Sequence, residues 1–500
     1  MRNGSLFVLY AEHAGNTEPG FCPVCFRELR HDKNVREFHV RGFRDIFRGN
    51  KVHRNSGRRT IDGRLKSDHH CFMPSLSLHL PILQNWSCHN CGGCCRDHAV
   101  TITAEEQTRI LSQKWTPANG IPENQPLFVE ERRGLIGKEI RLAHQPDGAC
   151  VFLDSHGLCR IHARFGEAAK PLACRIYPYA FHPCGDGLTV SLRFSCPSVA
   201  ANRGTPLARQ KRELKQLAEL VVPANYRGAP PPRLTPRTQL DWEETLSVVE
   251  ALDQTYADPE FPLAVKILQS LYWSQLVAQA KLRKIRGERL LELLELLVNA
   301  ARIEIPELPA KSPPPSSIGM TQFRLLAGQY ARKDTAASID LSWRGRFQQF
   351  KNALQLARRN GTLPALQPGL AEMPVTALDA VSVQFSSASE EMFTRYFRVK
   401  LQGFHFCGAA CYGQPVIEGY HALTLVYPVS VWLARWRAAS AGRQIANHDD
   451  LQAALMLVDH QHAYSPALGH WPARRRVRNF ATSGDLPRLI TWAGELCTKS

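Results

Sequence analysis

Eight consecutive residues constrain this chain more than any others: Cys88-His89-Asn90-Cys91-Gly92-Gly93-Cys94-Cys95 places four thiols in eight positions. A Cys-x2-Cys spacing lets one turn aim two sulfurs at a common centre, and Gly92-Gly93 free the backbone for the left-handed or close-approach conformations such a turn needs. A second set follows: Cys150, Cys159, Cys174 and Cys196, each set in a short apolar or turn context. With Cys184, nine of the 15 cysteines lie between residues 88 and 196. Isolated cysteines behave as small hydrophobes in cores. Clustering and a Cys-Cys pair point instead to a metal.

The ligand set read from spacing is Cys88, Cys91, Cys94, Cys95, Cys150, Cys159, Cys174 and Cys196. Zinc asks for four ligands in a closed tetrahedron, and a 4Fe-4S cluster takes four thiolates. Eight sulfurs therefore suit two centres, or one with spare thiols. Adjacent Cys94 and Cys95 are expected to point in different directions. Cys184, Cys407, Cys411 and Cys497 read as ordinary thiols, and His98, His162 and His182 stay outside the set.

Residues 1–20 lack the apolar stretch and cleavage site of a secretory leader, and the most apolar window, Ala422 to Trp436, is interrupted by Pro428. The expectation is a cytoplasmic protein with no membrane span and no membrane partner, where cysteines serve metal binding or catalysis more than disulfides. Lys and Arg outnumber Asp and Glu by 62 to 45, giving +17. The excess is spread along the chain and no nucleic-acid motif surrounds its short clusters, so Arg474-Arg475-Arg476-Val477-Arg478 reads as a solvated face.

At 500 residues, more than one domain is expected. Residues 1–75 show weak periodicity and read as a disordered or mis-assigned extension, in which Cys22-Pro23-Val24-Cys25 lacks a nearby complement. Residues 76–205 read as a loop-rich cysteine domain. Thr103 with Glu106 forms a capping box opening a helix to about Lys114, residues 127–143 a strand pair, residues 161–170 a short helix, and residues 188–194 a strand. Residues 206–304 then turn helical, with apolar residues at three and four spacing over 207–221, 242–256, 263–281 and 288–301. Residues 305–318 are a proline-rich linker, and 319–500 a helical C-terminal domain with helices at 343–358, 390–401, 420–439 broken at Pro428, 449–464 and 486–496. The fold class is α+β, with no sheet of more than about four strands.

Cys88-x2-Cys91-x2-Cys94-Cys95, Cys150-x-Phe152-Leu153, Leu158-Cys159-x-Ile161 and Cys174-Arg175-x-Tyr177-Pro178 resemble the zinc- or iron-chelating cysteine-cluster family. Gly166, Leu172, Ser191-Leu192 and Ser195-Cys196-Pro197 are similar to its flagellin lysine-N-methylase branch, as are, more distantly, residues 390–397 and Asp459-His460-Gln461-His462. Pro178-Tyr179 stands where that branch usually has Pro-Arg. The resemblance implies methyl transfer from S-adenosylmethionine to a lysine ε-amine, with flagellin as the protein substrate. The residues themselves display no Gly-rich nucleotide loop after a strand, and the Cys-x3-Cys-x2-Cys of radical enzymes is broken by His98. Two non-enzymatic readings stand beside it: metal delivery, and a cluster that only holds the helical part in place.

Overall fold

A computed structural model describes residues 77–133, 137–223, 226, 228–310, 312–332, 343–358 and 360–499. The N-terminal extension read over 1–75, with its Cys22 and Cys25, lies outside the described residues. The first half of the described chain is built of short pieces: β1 (Leu78–His79), β2 (Asn85–Trp86), α1 (Gly93–Asp97), β3 (Thr101–Ile102), α2 (Ala104–Ser112), β4 (Phe128–Arg133), β5 (Gly137–Leu142), α3 (Arg160–Phe165), α4 (Leu172–Ile176), β6 (Tyr179–Cys184), β7 (Gly187–Leu192), α5 (Pro197–Ala200) and β8 (Thr205–Pro206). The rest is mainly helical: α6 (Lys211–Val221), α7 (Trp242–Ala257), α8 (Leu263–Gln279), α9 (Glu288–Glu304), α10 (Ser317–Ala331), α11 (Trp343–Ala357), β9 (Thr362–Leu363), β10 (Met373–Pro374), α12 (Thr376–Asp379), β11 (Ser382–Phe385), α13 (Ser387–Gln402), α14 (Val416–Thr424), α15 (Val426–Ser440), β12 (Ile445–Ala446), α16 (His448–Gln461), α17 (Pro466–Gly469), α18 (Trp471–Ser483), α19 (Asp485–Glu495) and β13 (Cys497–Lys499). The class is α+β. Among the described residues no sheet exceeds three strands, and no helix is long and apolar enough to cross a membrane.

Local chemistry explains most boundaries. The Thr103 side chain accepts the Glu106 N–H while Glu106 reaches back to the Thr103 N–H, so orphan donors at the start of α2 are satisfied reciprocally. Asp241 with Glu244 starts α7, and Asn447 with Asp450 starts α16, in the same way. The break expected at Pro428 falls at Leu425 instead, between α14 and α15. Pro428 is the third residue of α15, in the first turn, where a missing N–H costs no intrahelical bond. Helix α10 begins inside the segment read as linker, because the Ser316 hydroxyl caps it and Asp485 accepts from the Ser316 N–H and hydroxyl.

Two hydrophobic cores result. The smaller packs Ile102 and Leu142 from the β3–β5–β4 sheet against Ile110, Phe152 and Ile161. The larger is organised around α8, α13 and α15, and it also takes in the β6–β7 hairpin through Phe181, Val190 and Leu192. That hairpin therefore carries the last cysteine of the motif directly onto the helical body.

Candidate metal centre

The first thiols are presented by a turn that only glycine permits easily. Gly92 caps α1 with φ 66°, a left-handed conformation that side-chain-bearing residues rarely adopt. The Cys95 N–H donates to the Gly92 carbonyl, and the Cys95 carbonyl accepts from the Cys150 N–H at 2.7 Å. One backbone bond thus joins the two halves of the motif. The loop bearing Cys150 is fixed by Asp147, which accepts from the Ala149 N–H and from Arg96 at 3.0 Å, and by Gln145, which donates to the Cys150 and Leu153 carbonyls. Asp154 accepts from the His156 and Leu158 N–H groups and so turns the chain back to Cys159. Glu106 holds a second helix besides its own: it accepts the Leu172 N–H at 2.6 Å, anchoring α4 and its Cys174.

Four of these thiols form an electrostatic group. Burial pushes Cys150 up to about 12, with Cys159 and Cys94 adding to the rise. Cys174 is raised well above the usual thiol range by removal from water and then by Cys150, Cys159 and Cys94. Cys94 is raised by its contact with Cys95, then by burial. Their Sγ atoms are 4.0 Å apart, so the expected divergence of these neighbours is not what the turn produces. Lys170 is the cation that lowers both Cys94 and Cys174.

The other candidates lie to one side. Exposed Cys91 has its Sγ 3.6 Å from where a Cβ on Gly93 would stand, beside the ring of Pro197. It also contributes to the rise of buried Cys196, which is caused first by desolvation. Cys88 is exposed and its thiol donates to Asn90 at 3.6 Å. His89 bonds Ser198 at 3.0 Å, tying this turn to α5. Tyr177 stands between the groups, its hydroxyl raised by burial and then by Cys196, with Cys94 a further contributor.

Soft sulfur donors fit zinc or iron by their chemistry. A multivalent cation or cluster would supply the positive charge that makes several close thiolates tolerable. Among the described residues, no three His, Cys, Asp or Glu side chains converge tightly enough to enclose one ion as they stand.

Behind the thiols lies a buried polar system that spacing did not reveal. Lys400 and Asp459 pair at 2.6 Å with 1% and 0% of their side chains exposed. Asp459 accepts the Ser195 N–H at 2.9 Å, immediately before Cys196, and Lys400 donates to the Leu192 carbonyl. Arg193 donates to the His460 carbonyl and lies 3.7 Å from the centre of the Tyr464 ring, while His98, just after α1, stacks on His460 at 4.7 Å. Arg395 donates to the Val199 and Ala200 carbonyls, which closes the end of α5. The segments around 395 and 459 that looked distantly familiar in sequence are those that grip the cysteine loop from the helical side.

Residues 87–200 match the CxxCxxCC family model, described as "Putative zinc- or iron-chelating domain". The chain is 28% identical over 115 residues to the Lysine-N-methylases of Salmonella typhimurium and Salmonella choleraesuis, covering 22% of this chain and 28% of each relative. It is 26% identical over 108 residues to the Flagellar biosynthetic protein FliU of Salmonella muenchen, covering 22% of this chain and 63% of that protein. The chain thus spans less than a third of the length of the methylases it matches. No solved structure matches it.

Proposed function

Because residues 87–200 carry the CxxCxxCC domain, we propose that this protein holds an iron–sulfur cluster on Cys94, Cys150, Cys159 and Cys174. Cys88, Cys91, Cys95 and Cys196 serve as a neighbouring thiol set. The observation that carries the reading is that the buried thiols of Cys150 and Cys174 are both raised further by Cys94 and Cys159, sulfurs drawn from separate loops and helices. A 4Fe-4S cluster takes its thiolates on different irons, so its four sulfurs need not close on a single ion. Zinc in a structural role is the second reading, favoured by the small core beside the thiols, which leaves that region in need of a metal staple.

We further propose that the protein transfers a methyl group from S-adenosylmethionine to lysines of a protein substrate, with flagellin the first candidate; the names of the relatives support this. The acceptor amine must lose its proton before it attacks, which a desolvated pocket favours. An iron–sulfur cluster, held by Cys94, Cys150, Cys159 and Cys174, would supply redox or Lewis-acid chemistry to the site. The residues described here hold the site in place: Glu106 fixes α4, and Asp459 fixes the backbone at Ser195.

Anaerobic purification followed by visible spectroscopy and iron, sulfide and zinc analysis tests the first proposal. Brown protein with acid-labile sulfide is expected, and colourless protein with stoichiometric zinc selects the second reading. Intact-mass analysis of flagellin incubated with loaded protein and S-adenosylmethionine tests the transfer. No mass gain on flagellin, with no cofactor binding by calorimetry, overturns it.

A further inference from the structure

Helix α11 displays its apolar residues to water. Trp343, Phe347, Phe350 and Leu354 are 73%, 61%, 60% and 44% exposed, where a helix of a globular protein ordinarily turns such a stripe inward. At 100° per residue the four fall within an arc of about 60° and extend about 16 Å along the axis. The opposite face holds the helix to the body. Leu356 is buried in the space left by Gly328, and Arg324 donates to the Ala357 carbonyl at 3.3 Å. The stripe is therefore not a helix in search of its own core.

Charge identifies the occupant. From Trp343 to Arg358 the sequence contains Arg344, Arg346, Lys351 and Arg358 and no acidic residue. All four cations are exposed; on the helical wheel Arg346 borders one edge of the apolar arc and Lys351 and Arg344 the other, and Arg358 follows just past the end of the helix. An aromatic stripe bordered on both sides by cations whose stems can lie along it is the arrangement of a helix seated at an anionic lipid surface. The stripe is also convex, on a helix whose N-terminal half is exposed nearly all round. It can enter a headgroup layer without a complementary groove. We propose that α11 is an interfacial helix that docks the protein on anionic membrane without crossing it. The proposal is independent of the metal and of methyl transfer.

The test is cosedimentation of the full chain with vesicles of phosphatidylglycerol in phosphatidylcholine, against vesicles of phosphatidylcholine alone. Binding to the anionic vesicles is expected, with partition into the zwitterionic ones weaker on the order of a hundredfold from three to four cations near the surface. Phe347→Asp with Phe350→Asp, both at exposed positions, should reduce binding by at least about tenfold with an unchanged circular dichroism spectrum. Quenching by brominated acyl chains, taken as the difference between the wild type and Trp343→Phe, should place Trp343 in the lipid. Absence of binding to anionic vesicles at low salt overturns the proposal. So does undiminished binding of the Asp variant, or vesicle binding with Trp343 unquenched. Capture of an acidic protein without lipid binding assigns the stripe to a protein partner and equally overturns it.

Discussion

The smaller core gathers nine buried apolar residues around Phe152, while the larger stretches from Leu78 to Ala493 and contains, fully buried, Trp273, Trp436 and most of the tyrosines and phenylalanines of the helices. The smaller is edged by Cys95, Cys150 and Cys159, and the larger by none of the four proposed cluster ligands. Hydrophobic stabilisation scales with apolar area removed from water. The helical body has enough of it to stand on packing. The cysteine region does not, and on the proposed reading its remaining stability comes from metal–thiolate bonds. Polar chemistry is divided too: Cys95, Cys150 and Cys159 sit at the small core, whereas the body takes in Cys196 and buries Lys400, Asp459, His182, His405 and His462.

Metal removal should separate the two cores most. Cys174→Ser, or chelation, should abolish metal binding and unfold the small core, with on the order of 10 kcal/mol of metal-linked folding energy lost if the metal is a structural zinc. Hydrogen exchange should then show α2, β4 and β5 exchanging freely while α8 and α15 stay protected. Equal loss of protection in both regions would mean that the two cores form one cooperative unit.

Next comes the ion pair inside the body, which braces the backbone before Cys196. Asp459→Asn or Lys400→Met leaves one buried charge unpaired and should cost about 3–5 kcal/mol in denaturant unfolding. The double variant Lys400→Met with Asp459→Leu should recover much of that loss, since replacing a buried pair by apolar groups is often close to neutral. A double variant as unstable as the singles would locate the cost in the lost Ser195 and Leu192 backbone bonds.

Acid should act on the body through its imidazoles. Burial lowers His182 to about 3 and His421 and His462 to about 4, and holds His405 well below its ordinary value. The unfolded chain binds protons near pH 6.5 that the native body refuses, so stability is complete above that pH and is lost as pH falls through it. Each such imidazole contributes ~1.4 kcal/mol per pH unit until its folded value is reached. Thermal melts of His462→Leu should show a shallower acid slope than the wild type between pH 6.5 and about 4. An unchanged slope would assign acid sensitivity elsewhere.

The smallest effect concerns the capping box. Thr103→Ala should cost about 1 kcal/mol, confined to exchange of α2 and α4, because the same Glu106 carboxylate serves both helix starts.

Much of this was readable in residues. Thr103 and Glu106 announce α2, and three-four periodicity locates α7, α8 and α9 to within a few residues. Strand β6 escaped because Tyr179-Ala180-Phe181-His182-Pro183-Cys184 is buried on both faces, so it lacks the alternation that marks a half-exposed strand. Helix α18 was hidden by its arginines, which read as a charge cluster. Among functional residues, the thiols declare themselves by spacing. Lys400 and Asp459 do not, since both types are ordinarily surface residues and nothing in sequence pairs positions 59 apart.

The bond from the Ser195 N–H to Asp459 spans 264 residues of chain. During synthesis at roughly 5–20 residues per second, every thiol of the motif leaves the ribosome some tens of seconds before the carboxylate that braces it. The nascent cysteine segment passes through that interval with its last loop unbraced, in a cell where thiols meet metals and oxidants continuously. Maturation is therefore ordered in time, and the final shape of the loop at Cys196 is set only once Asp459 has emerged to brace it.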